Sequence, residues 1–138
     1  MRKPARVLLA GLILCAAQSA SALAACVPDD GLKMAGPPEA PLELAIELKP
    51  GTIPVSSPFQ ADLVICPGHA GLPDNVTLDA TMPAHKHGMN YEPAIRKITG
   101  DRYEVSGLLF HMPGLWRFEV TAYVNGKPHR FTRDVNVE

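Results

Sequence analysis

Beyond its first two dozen residues, the sequence has no apolar run approaching the roughly 20 residues that a membrane-spanning helix needs. It has no excess of basic charge either: 13 Lys and Arg stand against 14 Asp and Glu, a formal net charge of −1. That excludes the basic footprint of a nucleic-acid binder. No G-x-S-x-G motif and no Cys/His nucleophile arrangement occurs, and the only acid/base partners in sight for its histidines are Glu92 and Asp101. The chain therefore does not read as an enzyme. There is no internal repeat, no low-complexity tract and no helical periodicity after the N-terminal segment.

That N-terminal segment is the clearest feature present. Arg2, Lys3 and Arg6 supply a positive start, an apolar run from Val7 to Ala17 follows, and Ala22-Leu23-Ala24 gives a small-x-small cleavage pattern. Residues 1–25 read as a secretory signal peptide. The expected location is periplasmic or secreted, with no transmembrane span once the signal is removed. Residues 26–138 then keep ten of the 13 basic residues and all 14 acidic ones, a formal charge of −4. That length is one domain.

Of three cysteines, Cys15 departs with the signal. Two readings of Cys26 follow. Two cysteines left in an exported domain favour a Cys26–Cys66 disulfide. Leu23-Ala24-Ala25-Cys26 also matches a bacterial lipobox, in which Cys26 carries a lipid anchor.

Residues 26–41 are rich in Pro, Gly and Asp and read as an extended N-terminal arm without a core of its own. From residue 42 to 138 apolar and polar residues alternate with period two, the mark of half-buried strands. The runs are Leu42–Leu48, Phe59–Ile65, Val76–Met82, Ala94–Ile98, Tyr103–Leu109, Trp116–Val124 and Phe131–Val137. Asn125-Gly126 is a strong hairpin signal between the last two. About seven short strands at this spacing predict an all-β fold, an immunoglobulin-like β-sandwich. Trp116 and Phe118 fall on the apolar face and belong to its core.

Potential chemistry is concentrated in one stretch. Met82, His85, His87 and Met89 lie within Met82-Pro83-Ala84-His85-Lys86-His87-Gly88-Met89, inside a long aperiodic loop from Pro83 to Pro93. His111-Met112 precedes Pro113-Gly114. In extended backbone, residues i and i+2 point the same way, so His85 and His87 are expected to present two imidazoles to one ion, with Met89 continuing that side. His111 arrives as a third nitrogen if the strand before it lies near the loop. Imidazole suits copper, zinc or nickel, and thioether sulfur selects soft Cu(I). No carboxylate lies inside the cluster, so the set points to a copper ion held by His85, His87, Met89, His111 and Met112. His69 and His129 read as surface histidines.

The motif Met82–Met89, then Tyr103, then Leu109-Phe110-His111-Met112-Pro113-Gly114-Leu115-Trp116, resembles the YtkA-like family, which is related to FixH-type exported proteins. The resemblance spans roughly residues 42–137. It implies an immunoglobulin-like sandwich, exported or membrane-tethered in bacteria, with links among relatives to copper handling or assembly of metal-containing respiratory enzymes. His85, His87, Met89 and Met112 match the family's loop and turn, Gly114 and Trp116 match as structural residues, and the FixH-type membrane helix is absent. The function expected is periplasmic copper sequestration or delivery, with a metalloprotein or another envelope protein as partner. The alternative is a non-metal accessory or protein-interaction module whose loop, stiffened by Pro83 and Pro93, docks a partner.

Overall fold

The structure is a computed structural model and describes residues 26–138. The expected signal peptide lies outside the described residues. The described chain is all β: β1 (Leu32–Lys33), β2 (Leu42–Lys49), β3 (Phe59–Pro67), β4 (Asn75–Met82), β5 (His87–Gly88), β6 (Ala94–Lys97), β7 (Arg102–Leu108), β8 (Gly114–Val124) and β9 (Lys127–Val137). All pairings between strands are antiparallel, in two sheets ordered β1-β2-β3-β7-β6 and β5-β4-β8-β9. The seven longer strands are those the alternation predicts. β1 and β5 are two residues each, too short to leave a periodic trace in the sequence.

Alternation puts one face of each strand against the other sheet. Leu44, Ile46, Leu63, Ile65, Val105, Trp116, Phe118 and Val120 are fully buried there. Each such side chain contributes about 1.5–3 kcal/mol relative to exposure. Asn125 and Gly126 both adopt positive φ, 51° and 74°, which a tight hairpin of this twist requires. β8 and β9 pair along their whole length as a result.

β3 departs from simple alternation. Ala61 through Cys66 are all buried, on both faces. The outer face is covered in two ways. Asp62 accepts from Lys49 Nζ at 2.7 Å and from Arg102 Nη1 at 3.2 Å, while Arg102 also donates to Glu47 at 2.6 Å. Further along, the N-terminal arm lies over the sheet. Cys26 is joined to Cys66 by a disulfide, with Cα atoms 5.7 Å apart. A Cβ placed on Gly31 would stand 3.4 Å from the Cβ of Ala45, which pairs with Val64.

The arm also enters the sandwich. β1 pairs with the edge of β2, Met34 is buried in the common core, and Ala35 exchanges two backbone hydrogen bonds of 2.8 Å with Thr132 of the opposite sheet. Its side chains are too few to make a core, yet it links the two sheet edges.

One expectation about the histidines is overturned. His129 is buried, not a surface residue, because it shares the inward parity of Phe131 and Val137 on β9. His69 is exposed.

The cross-link spans 40 residues. Replacing Cys26 and Cys66 together by alanine is expected to lower the unfolding free energy by about 2–4 kcal/mol, read from urea denaturation curves.

Candidate metal centre

The strand registers bring the Pro83–Pro93 loop, the 109–113 turn and the Lys49–Pro58 connection to one end of the sandwich, opposite the disulfide. β4 delivers Met82 to that end. Pro83 stops the ladder, and residues 83–86 make a turn in which the His85 N–H donates to the Met82 carbonyl at 3.0 Å. Lys86 takes φ 50° to close it. The chain then returns as β5, with His87 directly opposite Met82. Directly opposed residues of an antiparallel pair share a face. Met82 is buried, so His87 is turned toward the interior, where it stands half-buried. The Met89 N–H donates to the Ala80 carbonyl at 3.1 Å, and the Met89 side chain packs on the core.

The extended backbone expected between His85 and His87 is therefore absent. A turn with a left-handed residue separates them, and His85 is exposed. The two imidazoles that do meet are His87 and His111. Their Nε2 atoms are 2.6 Å apart and their rings are nearly perpendicular, with centroids 4.6 Å apart.

His111 is placed from the other sheet. After β7, Phe110 turns inward and is fully buried. Val55 bridges to it, and the Ser56 N–H donates to its carbonyl at 2.8 Å. Phe110 stacks on Trp116 with centroids 4.2 Å apart and planes 2° apart. Trp116 Nε1–H donates to the Met112 carbonyl at 3.0 Å, which closes the turn. Met112 is partly buried against the core. Gly114 has φ 123°, and a Cβ there would sit 3.0 Å from Met82 Cε. The methionines and the two facing histidines thus gather at the same end, His85 stands outside, and Trp116, read from sequence as core alone, forms the wall. Its signal was the F-H-M-P-G-x-W turn. The support from Val55 and Ser56 has none, because half the chain separates them from His111.

Two facing neutral imidazoles share one proton: one Nε2–H donates to the other Nε2. His111 Nδ1 is buried and has no partner, a condition that costs on the order of 1–3 kcal/mol. For both Nε2 lone pairs to bind an ion, the donating ring must change tautomer, its proton moving from Nε2 to Nδ1, and the two rings must part. The donors fit a soft or borderline ion: imidazole nitrogen flanked by thioether sulfur. Among the described residues, no group of three or more His, Cys, Asp or Glu converges on one point, so any further donor is a methionine or comes from outside.

Nearby charge is largely cancelled. Arg117 lines the same shallow groove as His87 and donates twice to Asp134, at 2.6 and 2.9 Å. That guanidinium holds the Asp134 carboxyl below its ordinary value. A cation entering the groove meets that pair, the Glu119 carboxylate, which lies 3.6 Å from Arg130 and accepts from Thr81 Oγ1, and Lys86 as the one exposed cation on the lining.

No family model, curated protein or solved structure matches the chain.

Gly114→Ala is expected to destabilise the domain by about 1–3 kcal/mol, since a Cβ is strained at this φ and presses on Met82. Thermal unfolding beside the parent protein checks it.

Proposed function

We propose that the protein is exported and binds copper for sequestration or delivery, and that it is not an enzyme. The observation that carries this reading is the meeting of His87 and His111 at the end of the sandwich where Met82, Met89 and Met112 also lie. Placement at loop tips suits hand-off, because an exposed end meets a partner while a rigid scaffold holds the ligands. His87 and His111 are the primary ligands in this proposal. Met89 and Met112 supply sulfur, and His85, on its exposed turn, serves capture or release. The disulfide is compatible with an oxidising compartment, and its use of the Cys26 sulfur leaves the lipid anchor as the alternative for a chain in which that bond does not form. The resemblance to the YtkA-like family supports the same reading, immunoglobulin-like architecture included.

A second reading has its own observation. The 2.6 Å contact is that of a hydrogen bond, so the two Nε2 atoms satisfy each other without an ion. In that reading the end of the sandwich, with exposed Tyr91 and Leu115, is a docking surface.

A copper titration by calorimetry under oxidising and reducing conditions separates them. His87→Ala and His111→Ala are each expected to weaken binding by about tenfold or more, the scale on which even outer partners of metal ligands act. His85→Ala is expected to matter less. No binding in either redox condition leaves the docking reading.

A further inference from the structure

We propose that Trp116 makes the His87–His111 centre selective for a soft monovalent ion, Cu(I) over Cu(II), by closing one side of it with its indole ring. The inference rests on the copper reading above and concerns a residue outside the ligand set.

The indole is held in place from two directions. Phe110 stacks flat against it, and its N–H is spent on the Met112 carbonyl. It is fully buried and cannot swing away without breaking both contacts. In this position its centroid is 5.6 Å from that of His111, at 80°, and 6.3 Å from that of His87, at 48°. Both imidazoles lie beside one aromatic wall.

That wall has two consequences for an ion at the pair. An aromatic face within about 6 Å attracts a cation without offering a lone pair, most strongly when the site is desolvated. The same face withholds a coordination position. Cu(II) favours tetragonal sets of nitrogen and oxygen. Here one side is hydrocarbon, and Met82, Met89 and Met112, packed on the core at the same end, carry thioether sulfur. A low-coordinate soft ion loses least in such a place.

Trp116 is the only tryptophan of the chain, so it reports on its own role. The purified protein is titrated with Ag(I), a redox-inert monovalent probe, and separately with Cu(II), following indole emission and measuring affinity by calorimetry. Ag(I) is expected to change Trp116 emission in step with binding. Trp116→Phe is expected to weaken Ag(I) by about three- to tenfold while Cu(II) moves by less than about twofold. Phe118→Leu disturbs the same core but leaves the Phe110 stack, the indole and its N–H bond, and is expected to preserve the preference for Ag(I). Equal weakening of both ions by Trp116→Phe, or the same loss in Phe118→Leu, overturns the proposal and leaves Trp116 as core. Ag(I) bound through His87 and His111 without a change in emission also overturns it, with the copper reading intact. If neither ion binds the parent protein, both readings fall.

Discussion

The stacking of Phe110 on Trp116 is the contact on which the candidate site depends. Phe110 belongs to the chain leaving one sheet, and Trp116 to a central strand of the other. Flat against one another, they seal the end of the sandwich and fix the distance across which the two histidines meet. The residue after Phe110 is His111, so the stack positions that imidazole. The indole N–H then ties down Met112. Displacing either ring would open the core and move the turn together, because packed interiors have no slack to absorb a shift.

The opposite end is secured by different means. The disulfide anchors the arm over β3, and the Ala35–Thr132 pair carries the arm across to the second sheet. A domain of this size buries a smaller share of its surface than a larger one does, so a cross-link and a shared strand matter to it. The arrangement leaves the histidine end free of the arm. Covalent restraint secures one end and aromatic packing the other, so the fold does not depend on the exposed loop near His87.

Much of this was legible in the residues. Leu44, Ile46, Trp116, Phe118 and Val120 announce their strands by parity, since a strand buried on one face must alternate. Asn125-Gly126 announces the hairpin through its tolerance of positive φ. Cys26 and Cys66, the two cysteines beyond the N-terminal apolar segment, suggested their own pairing. Other features left no such trace. β3 is buried on both faces in part because an arm joined to it by a disulfide across 40 residues folds over it, and no local pattern encodes a cover supplied from elsewhere. His129 was misjudged because its neighbours Pro128 and Arg130 are polar or turn-forming, while its burial comes from the register with β8.

The histidine cluster divides along the same line. The sequence by itself determined that His85, His87, Met89, His111 and Met112 fall at strand ends, free of carboxylates, because composition and period-two alternation are local properties of a chain. Only the tertiary structure decided which of them meet. One turn residue, Lys86 at φ 50°, takes His85 out of line with His87. The antiparallel register then sets His87 opposite Met82 and so turns it inward to His111. Spacing along the chain limits which side chains share a face, but the turn and the pairing of strands set which face that is.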